Sequence, residues 1–219
     1  MKGNVFEFSI VITAETFNPT ILNPDFLRVK NIVPEDWDWQ LSAAPISTPP
    51  FAIVSYDSGV SLLVETTKFQ VVERGQQVNV TESKISNIAK KYIEVLEHTP
   101  YKEIGINLTS FIELENPNHF IKEKFTKEGD WDNESFKLKE TGLSFIYEIN
   151  EGSFNLKINK GAFKDKEYDK SGIILYGNFH RSCKDIPKHE IYKELIKHIE
   201  NRQKDIEYFN KISQVILGE

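Results

Sequence analysis

The chain carries two sets of matching landmarks in the same order, which predicts that one structural unit occurs twice. Asn23-Pro24 is followed thirteen residues later by Asp36-Trp37-Asp38, and Asn116-Pro117 is followed fourteen residues later by Asp130-Trp131-Asp132. A glycine in a predicted hairpin comes next in each half, and an amphipathic helix pattern closes each half; the two glycines are Gly59 and Gly152. Matched spacing of this kind favours a duplicated supersecondary unit over chance recurrence.

Periodicity gives both halves the same order of elements, namely strand, short helix, three strands and helix. In the first half we expect strands at 5–14, 51–56, 60–65 and 68–73, a short helix from Pro24 and a helix at 82–98. In the second half we expect strands at 104–114, 136–149, 153–160 and 172–179, a short helix from Pro117, and a helix from Asp185 to Leu217.

The predicted fold is α+β and internally duplicated. Two β-α-β-β-β-α units, at 1–98 and 99–219, are expected to pack as one pseudo-twofold domain. Their strands form one or two antiparallel sheets, and the two long helices pack on one face. We also expect Trp37 and Trp131 to pack at equivalent corners while the acidic residues beside them stay in solvent.

Short stretches of the chain show a likeness to known proteins. They are 32–37, the hairpin at 55–60, the run from 92 to 108 and the amphipathic C-terminal helix. On these the chain resembles an uncharacterised, sporadically distributed family of bacterial proteins, and the resemblance implies no catalytic residues. The duplicated unit is also similar in topology to the units of sliding clamps and TATA-box-binding proteins, although none of their residues occurs here.

Composition excludes several classes of protein. The net charge of −6 argues against a dedicated duplex-DNA binder, whose footprint is normally basic. The single cysteine, Cys183, excludes an intramolecular disulfide. Neither a signal peptide nor an apolar stretch of membrane-spanning length occurs in the sequence, so we expect a cytoplasmic protein.

The sequence shows no motif that predicts catalysis, so the balance leans against an enzyme. Asp130, Asp132 and Glu134 begin like a calcium loop, but Ser135 stands where that loop needs a glycine. A second set, His180, Cys183 and His189, lacks a fourth zinc ligand. We therefore expect no metal and no other cofactor.

The C-terminal helix is the strongest candidate for an interaction surface. Its apolar residues follow an interrupted heptad pattern; they are Tyr192, Leu195, Ile199, Ile206, Phe209 and Ile216. Such a stripe pairs with a partner helix or lies on the protein's own sheet, and the second half of a helix about 45 Å long is expected to overhang that sheet. The leading hypothesis is a non-enzymatic protein-interaction module of a bacterial assembly, of the antitoxin, immunity or phage-defence accessory type. It would act through a protein partner or by self-association.

The alternative is binding of single-stranded nucleic acid by the basic segment 157–188. This segment holds eight Lys or Arg residues against four Asp or Glu residues. Its cationic and aromatic side chains would contact the backbone and stack on bases; the candidates are Lys157, Lys160, Lys164, Tyr176 and Arg181.

Overall fold

One antiparallel sheet of nine strands, accompanied by five α-helices, makes up the part of the chain that the structure describes. The structure is a computed structural model that describes residues 3–127, 129–164 and 169–218, with side chains for all of these except 163, 164 and 169. The strands are β1 (Asn4–Ala14), β2 (Ile46–Ser47), β3 (Phe51–Ser55), β4 (Val60–Glu65), β5 (Lys68–Arg74), β6 (Tyr101–Glu113), β7 (Leu143–Ile149), β8 (Gly152–Lys164) and β9 (Asp169–Ser182). The helices are α1 (Pro24–Val29), α2 (Ile85–Val95), α3 (Pro117–Phe125), α4 (Ile191–Glu200) and α5 (Arg202–Leu217). The predicted α+β class is confirmed.

The two halves of the chain share this one sheet, because β1 pairs with β6 at its centre. The strand order is β2-β3-β4-β5-β1-β6-β9-β8-β7. From β1 the sheet continues outward through β5, β4 and β3, and from β6 it continues through β9, β8 and β7. The strands of each half are therefore connected in the same order on either side of the β1–β6 pair.

The core lies on the face of the sheet that carries the even-numbered residues of β1. Phe8, Ile10 and Ile12 are fully buried there, directly opposite Leu108, Ile106 and Ile104 of β6. Helix α2 packs on this face, and the ring of its Tyr92 stacks on Phe69 with centroids 3.9 Å apart. We call this the helix face and the opposite one the open face, since side chains such as Lys157 and Ile146 are exposed there.

Local sequence explains where two elements of the first half begin or turn. The side chain of Asn23 accepts a hydrogen bond from the backbone N–H of Phe26 at 2.8 Å, and Pro24 occupies the first turn of α1. Gly59 turns the β3–β4 hairpin with a φ of +84°, and a Cβ there would lie 2.3 Å from the carbonyl oxygen of Arg74. The predicted hairpin therefore needs glycine at this position.

The single C-terminal helix predicted from Asp185 to Leu217 is wrong, because the helix is broken at Asn201. The N–H of Asn201 closes α4 on Lys197, and α5 begins at Arg202. α5 contacts β6 and β9, so the expected overhang is absent from the described helix. Within the described chain no helix is both long and apolar enough to cross a membrane.

The strand predicted at 136–149 begins only at Leu143. The preceding residues are held in turns by side chains, since Asn133 Oδ1 accepts from the N–H of Phe136 at 3.0 Å and Asp132 Oδ1 accepts from that of Leu138 at 3.2 Å. Backbone groups bound in this way are not available to a strand ladder.

Candidate functional site

An exposed apolar segment leads into β7 and sets this part of the surface apart from the rest. Of the ten large hydrophobic side chains exposed in the described chain, four lie between residues 131 and 146; they are Trp131, Phe136, Leu138 and Ile146. Phe136 is 66% exposed and Ile146 is 75% exposed. Apolar side chains concentrated in one exposed segment are typical of an interaction surface.

Trp131 departs from the expectation that it packs like Trp37. Trp37 packs against the core, with its ring 4.8 Å from that of Trp39, whereas Trp131 is 46% exposed. Asp132 is bound by the Lys122 ammonium, which lowers the pKa of this carboxyl, and the N–H of Leu138 lowers it further. The residues of the calcium-loop pattern thus form a turn in which Asp132 is paired with the ammonium group of Lys122 from α3.

β7 is an edge strand with few features that prevent pairing with another chain. In the described residues it pairs with β8 alone, whereas the opposite edge is formed by β2, which has only two residues. β7 has seven residues, contains no proline, lysine or arginine, and carries a single charge at Glu148. Natural edge strands are usually short or carry charged residues or proline, which discourage pairing with another chain. The unpaired backbone groups of β7 are therefore a ready template for another strand.

The open face of the sheet carries a row of hydrogen-bonded polar side chains that crosses four neighbouring strands, β1, β6, β9 and β8. Ser9, Asn107, Asn178 and Asn155 lie directly opposite one another along this row. Asn107 donates to Ser9 Oγ at 3.2 Å and accepts from Asn178 at 2.6 Å and from the Tyr176 hydroxyl at 3.0 Å. These bonds satisfy the nearly buried polar groups and tie β1, β6, β9 and β8 together.

The sequence-predicted nucleic-acid residues whose side chains the structure describes are divided between the two faces of the sheet. Lys157 and Tyr176 lie directly opposite each other on the open face. Lys160 and Arg181 belong to the helix face, because strand residues an odd number apart point to opposite sides. Lys164 lies in β8, but its side chain is outside the described residues.

The residues predicted to form an interaction helix are mostly part of the protein's own core. Leu195, Ile199, Ile206, Phe209 and Ile216 are all buried, and only Tyr192 is partly exposed. The close fit is seen at Gly177 of β9, where an added Cβ would lie 2.6 Å from the ring of Phe209. The five buried side chains belong to the protein's own core, as the intramolecular alternative for the stripe requires.

A cavity of about 280 Å³ opens where the break between α4 and α5 faces the end of β9 and the β7–β8 turn. Its inner wall contains Arg181, which is buried and donates two hydrogen bonds to the carboxylate of Asp205, at 2.9 and 2.6 Å. Asp205 lies in the first turn of α5, just after the break at Asn201. A buried bidentate pair of this kind links α5 to the sheet.

Beside this cavity, three ligand-type side chains come together from two distant parts of the sequence. Ligand atoms of Glu151, Glu194 and His198 all lie within 4.8 Å of one another. Glu194 and His198 are four residues apart and share one face of α4, while Glu151 lies in the β7–β8 turn with a φ of +63°. Only the i, i+4 spacing of Glu194 and His198 is visible in the sequence, so sequence reasoning missed this cluster.

The other cysteine and histidine candidates lie apart. His180 is on the open face beside Glu103, His189 is exposed beside Glu190, and Cys183 is buried in the core. Burial raises the pKa of Cys183 to about 11, with smaller contributions from Glu194 and Glu103. Its sulfur therefore stays a thiol at neutral pH, which does not suit a nucleophile.

The chain was compared with protein-family models and with curated proteins. No protein-family model matches the chain, and no curated protein matches it.

The Arg181–Asp205 pair yields a stability prediction. Replacing Asp205 with Ala leaves a buried, unpaired guanidinium, so we expect the free energy of unfolding to fall by about 3–5 kcal/mol. The double change Arg181→Met and Asp205→Leu should recover most of that loss, because neither charge remains. Chemical denaturation measures both effects.

The matched control is Glu94→Ala, which removes an exposed ion pair with Lys91 and should change the free energy of unfolding by less than about 1 kcal/mol. An Asp205→Ala variant as stable as this control would contradict the role assigned to the pair.

Proposed function

We propose that this protein is a non-enzymatic protein-interaction module of a bacterial assembly that self-associates through the edge strand β7. The observation that carries the proposal is the unprotected seven-residue edge of β7 together with the exposed apolar segment that leads into it. Strand addition at such an edge derives affinity from main-chain hydrogen bonds and specificity from the alternating side chains.

The residue pattern of β7 favours a second copy of this chain as the occupant. If two copies pair antiparallel about a twofold axis at Ile146, Phe145 of one copy lies opposite Tyr147 of the other, and Leu143 lies opposite Ile149. Ser144 then lies opposite Glu148, so the carboxylates of the two copies do not face each other directly. Aromatic and apolar cross-strand pairs of this kind each contribute about 0.2–1 kcal/mol.

The same arrangement keeps the side chains on compatible faces. Phe145 and Tyr147 belong to the helix face, where their rings lie 5.8 Å from those of Phe125 and Phe154, respectively. Ile146 is on the open face and would meet its own copy across the axis. A seven-residue strand pair alone buries little area, and exposed Trp131, Phe136 and Leu138 are available to enlarge the interface toward the roughly 1,000 Å² of a stable one.

The test is the mass of the protein in solution. We expect size-exclusion chromatography with light scattering to give a dimer, twice the 25.3 kDa of the chain. Ile146→Lys should give the monomer, because it places two like charges opposite each other at the axis. The matched control is Val29→Lys on α1, where the replaced side chain is 72% exposed and far from β7 in the sequence; it should remain dimeric. A wild-type monomer at about 100 μM, or equal masses for the two variants, would overturn the proposal.

Single-stranded nucleic-acid binding has one observation in its favour, the placement of Lys157 directly beside Tyr176 on the open face. This alternative predicts binding to a fluorescent oligonucleotide that weakens with salt and is lost in Lys157→Glu. Lys160→Glu is the matched control, since Lys160 is in the same strand but belongs to the other face. A flat anisotropy titration at low salt, or equal losses in the two variants, would remove the open face as a nucleic-acid site.

We also propose that the two halves descend from a duplicated β-α-β-β-β-α unit. Support comes from the equal order of strand connections on either side of the β1–β6 pair. A superposition of 4–95 on 101–200 should match corresponding strands in order. A best match that pairs strands out of order would contradict this descent.

A further inference from the structure

We propose that Glu151, Glu194 and His198 bind a divalent transition metal of the zinc class. The site lies at the mouth of the cavity between α4, α5 and the β7–β8 turn. Its test does not depend on the interaction proposed for β7, so either proposal can fail without the other.

The first argument is the state of His198, which is buried and, among the residues that the structure describes, has no partner at ordinary hydrogen-bond distance. Its side chain is only 6% exposed. Its nearest carboxylate oxygens are on Glu194, 3.5 Å from Nε2, and on Glu151, 3.9 Å from Nδ1. Both distances exceed those of ordinary hydrogen bonds, so each ring nitrogen faces a carboxylate oxygen without forming a short hydrogen bond to it.

A metal would be coordinated by the neutral imidazole of His198 and by the ionised carboxylates of Glu151 and Glu194.

Geometry permits a shared ion after small side-chain movements. Ligand atoms about 2.1 Å from one metal lie roughly 3–3.5 Å apart, compared with the present limit of 4.8 Å. The side chain of Glu151 is 48% exposed, and three protein ligands would leave a fourth position for water or another ligand. Mixed nitrogen and oxygen ligands favour zinc-class ions over Mg²⁺ and Ca²⁺, which prefer oxygen alone.

The ammonium group of Lys197 now pairs with the two carboxylates that would bind the metal. Lys197 Nζ lies 2.6 Å from a Glu194 oxygen and 3.4 Å from a Glu151 oxygen. A metal must displace this ammonium from both carboxylates. The proposal therefore makes a prediction that a simple ion-pair network does not make: removal of Lys197 should strengthen metal binding.

Glu151 also has an unusual backbone conformation for its residue type. It has a φ of +63°, and the other non-glycine residues with positive φ in the described chain are Asn31 and Asp38, types that tolerate this region well. The turn holds a glutamate in a conformation that favours glycine or asparagine, which is consistent with a role for its carboxylate.

The experiment is calorimetric titration of the full-length, untagged, metal-free protein with Zn²⁺, together with the visible absorption of the Co²⁺ form. We expect one saturable site per chain. His198→Gln and Glu151→Gln should each weaken it at least about tenfold, and Lys197→Met should tighten it. The matched control is His180→Gln, which alters a surface histidine 3.4 Å from Glu103 on the open face and should leave the affinity unchanged.

Two safeguards separate metal binding from folding. Glu151 is in an exposed turn, so Glu151→Gln tests the site even if His198→Gln fails to fold. Circular dichroism of each metal-free variant checks its fold. Absence of saturable binding at about 100 μM metal would overturn the proposal, as would equal affinities for wild type, Glu151→Gln and His180→Gln.

Discussion

The antiparallel pairing of β1 with β6 is the interaction on which the rest of the molecule depends. Each of these strands is hydrogen-bonded on both sides, and residues 104–112 of β6 are buried without interruption. Their pairing makes one sheet from the strands of two half-chains, and α2, α4 and α5 each contact strands of this sheet. It also fixes the periphery, because each half then extends outward and ends in an edge, short at β2 and long at β7.

Local patterns predicted most elements because their causes are local. The alternation at Phe8, Ile10 and Ile12 indicates a strand with one buried face, and the Asn23-Pro24 cap begins α1 as expected. The break at Asn201 could not be predicted in this way. In the helix that follows this break Asp205 binds Arg181 and Phe209 packs on Gly177, and both are tertiary contacts that no local sequence pattern indicates. The early start predicted for β7 was wrong because Asp132 and Asn133 bind the backbone in turns.

The surface was harder to predict than the core, since it depends on which face each residue occupies. The basic residues of segment 157–188 are divided between the two faces of the sheet, with Lys157 on the open face and Arg181 buried on the helix face. The cluster of Glu151 and His198 joins residues 47 positions apart, and no local pattern connects them. Glu151 stands in the turn that follows β7, so a metal bound there would fasten the end of the edge strand to α4.

Amide hydrogen exchange of β7 tests the central claim most directly. In a dimer joined at this edge, the N–H groups of β7 that point away from β8 become hydrogen-bonded to the second copy. We predict that they exchange slowly, on the scale of amides in β1 and β6, and that Ile146→Lys makes them exchange rapidly. If those amides exchange in the wild-type protein as fast as the exposed amides around Phe136, the edge is unpaired in solution and self-association through β7 is contradicted.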